Sequence, residues 1–341
     1  MKITIIGLAQ AGQQELFSLL TGVALENIKE RPMEVLQGIC EVKDSRITKL
    51  SEMYKPKKTT YARIEYLLIP DFNLTGPTKD IIFKELKNAD EICWISRADT
   101  AEKDVKHVIS ELIVFDMMLV EKRLETIAKD QRKKFSDQKE KEKELMELCR
   151  KQLEGERPLS ELKVTGDQAS AIATYQFFTM KPIFIVVNVP EDKINDASIA
   201  KKISEHTSYP SIQLCAEIEQ EIGRLEEKDR TEFMGELGIA EPAIHKMTMI
   251  AYAELGLISF FTVGEDEVRA WTIRKGAAAP EAGKAIHSDI EKGFVRAEMF
   301  KYGDLIGAGS EAKLKELGKF YLKGRDYIVE DGDILNFRFN V

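Results

Sequence analysis

Cysteine, histidine and tryptophan are scarce in this chain, whose 341 residues hold 4, 4 and 2 of them. Cys40, Cys93, Cys149 and Cys215 are widely scattered with no C-x-x-C pair, which excludes a zinc ribbon and a disulfide framework and leaves buried or inert thiols. His107, His206 and His245 have no spacing that suits a metal site or a catalytic triad, so they are expected to be structural or surface residues. No apolar run approaches the length that spans a bilayer, and the opening MKITIIGLA is too brief for a signal peptide. A cytosolic protein without membrane contact is expected. Positive charge is not in excess either: 50 basic against 58 acidic residues give a net charge of −8. There is no global drive toward nucleic acid, so any RNA contact needs a local basic face.

What is there is a globular composition, 43% hydrophobic and 32% charged. The length exceeds what one core usually organises, so two or three domains are expected. Up to about residue 110, short β-rich runs at Lys2 to Ile6, Ile39 to Val42, Ile64 to Ile69 and Glu91 to Ile95 alternate with amphipathic segments. That alternation predicts a parallel α/β sheet. Residues 111–157 turn helical and highly charged, which reads as a helical hairpin with its turn near Phe135, Ser136 and Asp137. The α/β pattern resumes with the apolar run Ile183 to Val187, typical of a central parallel strand, so the hairpin is an insertion. From about Gly256 the pattern predicts a small mixed sheet: strands at Leu257 to Thr262, Glu267 to Ile273, Phe294 to Phe300, Asp326 to Val329 and Ile334 to Phe339, with a helix at Glu311 to Leu317.

Three groups of residues carry candidate chemistry. The first is Gly7-Leu8-Ala9-Gln10-Ala11-Gly12-Gln13-Gln14, between a buried-type strand and an apolar helix. A phosphate-binding Walker A loop has glycines at this spacing, then Lys to reach the β- and γ-phosphates and Ser or Thr to hold Mg²⁺. Gln13 and Gln14 stand in those two places. The backbone N–H groups of such a loop still suit a phosphate, but Glu15 in the first helical turn opposes the same dipole end. A Gly-bounded turn that merely caps a structural helix explains these residues too. The second group is Asn188-Val189-Pro190-Glu191, at the end of the central strand where an open sheet binds ligands; an ordinary turn before proline is the alternative. The third is basic and aromatic: Arg269, Trp271, Arg274, Lys275, His287, Lys292, Phe294 and Arg296. It suits RNA by phosphate pairing and stacking, and equally a solvated β-surface, since acidic residues balance it.

Several longer stretches converge on one family. LISFFTVGEDEVRAWTIRKG, AIHSDIEKGFVRAE and GKFYLKGRDYIVEDGDILNFRFNV at the end of the chain, with DSRITKLSEMYKPKK (44–58), ELIVFDMMLVEKRLE (111–125), KPIFIVVNVPED (181–192) and CAEIEQEI (215–222) upstream, resemble the YchF/Obg-like ATPase family. These are P-loop proteins of the translation-factor GTPase class. The resemblance implies a P-loop NTPase-like domain of residues 1–110 and 175–256, an inserted helical hairpin or coiled coil of 111–174, and a C-terminal β-grasp (TGS, ubiquitin-like) domain of 257–341.

The departures from that family fall where triphosphate chemistry would occur. Its Walker A Lys and Ser map to Gln13 and Gln14, its Asp-Ile-Ala-Gly motif to Leu68-Ile69-Pro70-Asp71, and its first-switch Thr to Pro32. Its mobile glycine loop is shortened to PDFNLTGPTKD, and its catalytic-His loop is missing between Arg97 and Asp104, with His107 at an ordinary helical position. Asn188 to Glu191 matches its adenine-associated Asn-x-x-Glu, and Cys215-Ala216 matches its base-side loop with Ser replaced by Cys. The resemblance therefore implies a degenerate phosphate loop (Gly7, Gln10, Ala11, Gly12, Gln13, Gln14) beside a base pocket (Asn188, Glu191, Cys215, Ala216). It implies at most weak ATP, ADP or adenosine binding, Mg²⁺ poorly held, no catalytic residue and no efficient hydrolysis. The ribosome or RNA is the implied partner, through the TGS domain and the hairpin, with a monomer favoured. Two alternatives stay open: a non-standard ATPase or GTPase that recruits Lys2, Lys29 or Arg31, and a purely structural interaction module.

Overall fold

The computed structural model describes residues 1–131, 137–207 and 209–340. The chain forms two compact units, Met1–Gly38 with Glu65–Ile244 and Ile39–Ile64 with His245–Val341. The strands in chain order are β1 (Lys2–Gly7), β2 (Leu36–Glu41), β3 (Lys58–Thr60), β4 (Arg63–Leu68), β5 (Glu91–Arg97), β6 (Ile183–Asn188), β7 (Ser211–Leu214), β8 (Leu257–Thr262), β9 (Glu267–Arg274), β10 (Phe294–Lys301), β11 (Tyr321–Lys323) and β12 (Asp333–Phe339).

The first unit is built on a sheet of order β2-β4-β1-β5-β6-β7, in which β4, β1, β5, β6 and β7 pair in parallel. Crossover helices cover both faces of such a sheet, so its central strands need apolar side chains on both sides. Ile3, Ile5 and Ile6 of β1 and Phe184, Ile185, Val186 and Val187 of β6 are accordingly buried. Trp94 of β5 packs edge-on to Phe72 at 5.6 Å between ring centroids, and its indole N–H donates to Ser96 Oγ. The expected strand at Ile39 to Val42 begins earlier, at Leu36, because Leu36 is the buried apolar residue that anchors it.

The helical hairpin consists of Ala101–Gln131 and Asp137–Glu154. The first helix is continuous, and its burial changes partner along its length. Val105, Val108 and Leu112 join the core of the sheet, whereas Ile113, Val120 and Ile127 pack with Leu145, Met146, Cys149 and Leu153 of the second helix. Fully buried Asp116 ties the base of the hairpin by accepting from the N–H groups of Phe178 and Thr179 and from the Thr179 hydroxyl. Burial pushes its carboxyl above the usual range, against the pull of those donors. The expected turn at Phe135 and Ser136 lies outside the described residues.

The second unit is a mixed sheet of order β11-β10-β12-β8-β9-β3. β10 pairs antiparallel with β11 and β12, β8 pairs antiparallel with β9, and β12 with β8 and β3 with β9 run parallel. The helix Ala279–Ile286 covers one face, over Phe260, Ala297, Met299 and Leu335. Three findings correct the sequence expectation. Residues 39–64, expected with the first domain, belong to this unit: β3 forms its edge strand, and Arg46 of the Ser45–Tyr54 helix bonds both Asp44 and Asp331. The expected strand at Asp326 to Val329 reduces to a single bridge between Ile328 and Ala278, because the Tyr327 hydroxyl and the Glu330 backbone N–H bond Asp333; an edge strand on that side is β11 instead. The one expected helix, seen at Glu311–Glu316, is joined by Ala279–Ile286, Ser288–Gly293 and Tyr302–Ala308. The basic and aromatic group divides, with Arg269 stacked on Trp271 at 3.8 Å and paired with Glu267, and His287 capping the helix that follows it.

All four cysteines are buried and unpaired with one another. Among the described residues no helix is long and apolar enough to cross a membrane.

Candidate functional site

Because five strands of the first sheet run parallel, their carboxyl ends share one edge, which is where ligands of open α/β sheets sit. The loops that leave those ends enclose a cleft of about 970 Å³, ample for a nucleoside-sized molecule. Gln10, Gly12, Gln13 and Gln14 line one side; Asn188, Cys215 and Ala216 line the other.

The loop after β1 is shaped by backbone conformation. Gln10 is left-handed (φ 65) and exposed, and Gly12 is left-handed (φ 102) as the N-cap of the helix Gln13–Thr21. That helix has no side-chain cap, so its first N–H groups and its dipole face the cleft. Gly12 is required for a second reason: a Cβ at this position would stand 2.5 Å from Asn188 Nδ2. Asn188, at the end of β6, donates to the carbonyl of Ala11 at 3.4 Å, and its Oδ1 accepts from the N–H of Ala216 at 3.2 Å. One amide therefore staples the loop after β1 to the helix after β7.

The place of the missing lysine is filled by a neutral amide held by a carboxylate. Gln13 is only 4% exposed, and its Nε2 donates to Oδ1 of Asp71, a residue that follows β4, at 2.5 Å. Its Oε1 is buried without a partner. Behind it Gln13, Pro32, Leu68, Pro70 and Asp71 enclose a second space of about 10 Å³, room for about one water. Leu68, where the family motif has its metal-linked carboxylate, thus contributes only an apolar wall. Asp71, where that motif has glycine, brings in a carboxylate.

The structure brings Gly12, Gln13 and Gln14 to the cleft together with Asn188, Cys215 and Ala216. Gly7 and Ala11 are buried behind the loop and shape it from within. Glu191 is not brought in: it is exposed, on a neighbouring hollow shared with Ile194 and Glu236. The short helix Glu191–Lys193 that follows Pro190 turns Glu191 outward and Lys193 toward the cleft. Cys215 caps the helix Ala216–Arg224, and burial pushes its thiol up, which suits a packing residue rather than a nucleophile.

The substitute cations fare unequally. Lys2 starts β1, the opposite end of the strand from Gly7, and lies beside Glu65 at 3.9 Å; six residues of strand separate it from the loop by roughly 17 Å. Lys29 lines the cleft but pairs with Glu15 at 3.5 Å, and Arg31 borders the water-sized space. Sequence reasoning missed Arg97, Asp99, Lys193 and Glu217, which also line the cleft. Arg97 is held by Asp99 at 2.6 Å. Their sequence signal is position at or a few residues past the ends of β5, β6 and β7.

The loop end of this cleft lacks the lysine and the hydroxyl side chain with which a Walker A loop holds a magnesium triphosphate. Phosphate oxygens need donors there, yet the side chain at the lysine position is engaged with a carboxylate and turns its remaining atom, an acceptor, inward. The opposite side, with its stapled loops, has the room for a nucleoside.

Comparisons with known proteins bear on the whole chain. The family model YchF-GTPase_C, described as a protein of unknown function (DUF933), matches residues 257–340. The ribosome-binding ATPase YchF of Bacillus subtilis (strain 168) is 35% identical over 362 aligned residues, covering 99% of this chain and 98% of that protein. The ribosome-binding ATPase YchF of Pasteurella multocida (strain Pm70) is 33% identical, covering 100% of this chain and 99% of that protein. The solved structure of the Schizosaccharomyces pombe YchF GTPase superposes with a TM-score of 0.86 at 28% identity, covering 99% of this chain and 97% of that one.

Proposed function

The chain belongs to the YchF family, and we propose that within it this protein is a cytosolic, ribosome-associated binding factor that has given up phosphoryl transfer. Ribosome association rests on the names of its relatives, each a ribosome-binding ATPase that aligns over nearly its full length. The loss of chemistry rests on one observation, the bond from Gln13 to Asp71 in the position of the phosphate-reaching lysine. Phosphoryl transfer is almost entirely positioning and charge stabilisation. A neutral amide held by a carboxylate supplies neither.

The retained parts of the site have a role that needs no reaction. Gly12, Ala11, Asn188 and Ala216 lock the loops at the carboxyl edge of the sheet into one arrangement. In this reading the cleft binds adenine nucleotides weakly at most, and the C-terminal domain and the helical hairpin supply the contacts to the ribosome. Sedimentation of the full chain with purified ribosomes tests it. The protein is expected in the ribosomal pellet to the same extent with and without Mg·ATP. A protein that stays in the supernatant, or one that Mg·ATP releases, contradicts the proposal.

A further inference from the structure

The Gln13–Asp71 pair has a consequence for what the cleft selects, and it rests on the reading of the cleft as a former nucleotide site. A glutamine amide offers donors at one end and an acceptor at the other, while a carboxylate offers only acceptors. Asp71 therefore dictates which way the amide lies: Nε2 must face Asp71 Oδ1, since the flipped amide would set oxygen against oxygen. Oε1 is then committed to the other direction. It is buried, unpartnered, and part of a side chain 96% withdrawn from solvent, at the N-terminus of a nine-residue helix that has no side-chain cap. A buried acceptor without a donor costs roughly 1–3 kcal/mol. The water-sized space behind Gln13 has room for the water that would relieve it; toward the cleft the pair presents the exposed carboxylate of Asp71, an acceptor that a phosphate, itself an acceptor, cannot satisfy.

The charges around the loop act in the same sense. Asp71 and Glu15 put carboxylates beside the helix end, where negative charge offsets the positive end of the dipole. Lys29 and Arg97 line the cleft too, but each faces a carboxylate, Glu15 and Asp99 respectively. Lys193 stands on the Asn188 side, near Pro190.

We propose that this cleft takes an unphosphorylated nucleoside in preference to its nucleotides, with Gln13 and Asp71 as the residues that invert the usual order. Each added phosphate brings further acceptors and negative charge toward the carboxylates of Asp71 and Glu15, with no donor free on the Gln13 side chain to receive them. Affinity falls along the series adenosine, AMP, ADP, Mg·ATP.

Isothermal titration of the full chain with those four compounds tests the proposal. Adenosine is expected to bind at least about tenfold more tightly than Mg·ATP, one decade being about 1.4 kcal/mol. In Asp71→Asn the carboxamide releases the constraint on Gln13, and the ratio is expected to shrink by about tenfold; in Gln13→Lys/Asp71→Gly the order is expected to reverse. Asp71 is exposed, so Asp71→Asn should fold, and a melting curve checks that it does. Mg·ATP binding more tightly than adenosine overturns the proposal, as does the absence of adenosine binding or an unchanged ratio in folded Asp71→Asn. None of these alters ribosome pelleting, so failure here is distinguishable from failure of the proposed function.

Discussion

Replacing Gly12 with alanine should destabilise the first unit by about 3 kcal/mol and lower its melting temperature by roughly 6–12 °C. Two costs add up. Gly12 is left-handed, with φ 102, a conformation that costs a residue with a Cβ roughly 1–2 kcal/mol. The new methyl group would also stand 2.5 Å from Asn188 Nδ2, and Asn188 has nowhere to go without dropping the carbonyl of Ala11 and the N–H of Ala216. Leaving such groups unpaired costs roughly 1–3 kcal/mol. Asn188→Ala alone loses the staple but makes room for the methyl group. The double variant should therefore be less damaging than the sum of the two single ones, by about 1 kcal/mol or more. Strict additivity in thermal or urea melts would mean that Gly12 and Asn188 do not share the contact on which the shape of the loop depends.

A comparable loss is expected in the second unit from Asp333→Ala, about 3 kcal/mol for removing one member of a buried charged network. Asp333 has no solvent exposure. It accepts from Lys301 Nζ at 2.6 Å, from the Tyr327 hydroxyl at 2.7 Å and from the N–H of Glu330 at 2.9 Å. Removing it leaves the Tyr327 hydroxyl and a backbone N–H without their acceptor, and Lys301 with Glu330 and a long bond to the Tyr327 hydroxyl. For Lys301, burial disfavours the ammonium, but the bonds to Asp333 and Glu330 outweigh it and raise its pKa. A raised folded-state pKa on a cation contributes stability that is fully present below the ordinary lysine range and is lost as pH rises through the folded value. The penalty of Asp333→Ala should therefore be the same at pH 6 and pH 8, measured by urea unfolding. A penalty that disappeared between those values would mean that Lys301 is not the partner that matters.

How far the sequence disclosed all this depends on whether the cause was local. The parallel sheet was legible because strands such as Ile183–Asn188 are buried on both faces and read as unbroken apolar runs. The hairpin was legible because its helices carry an apolar stripe in a charged background. By contrast, residues 39–64 look like part of the first domain in chain order, and long-range contacts such as the pairing of Lys58–Thr60 with Glu267–Arg269 and the bond from Arg46 to Asp331 place them in the second unit. Nothing local announces a pairing between residues so far apart. The loop from Gly7 to Gln14 was legible as a phosphate loop without its lysine, from glycine spacing and the strand and helix around it. What replaced the lysine was not, since Asp71 meets Gln13 only through the packing of β4 beside β1. The sequence places Asn188 at the strand end where a base would sit, but does not disclose that its amide joins two loops. Glu191 has the spacing of a base-reading residue, but the turn after Pro190 faces it to solvent.

The proposed function requires that the chain keep the scaffold of its family without the reaction. Steady-state phosphate release from Mg·ATP by the full chain, with and without ribosomes, tests this most directly, with Asn188→Ala as the control for the cleft. The account predicts that release by the unaltered protein does not exceed that of Asn188→Ala under either condition. Magnesium-dependent turnover that Asn188→Ala abolishes would contradict it.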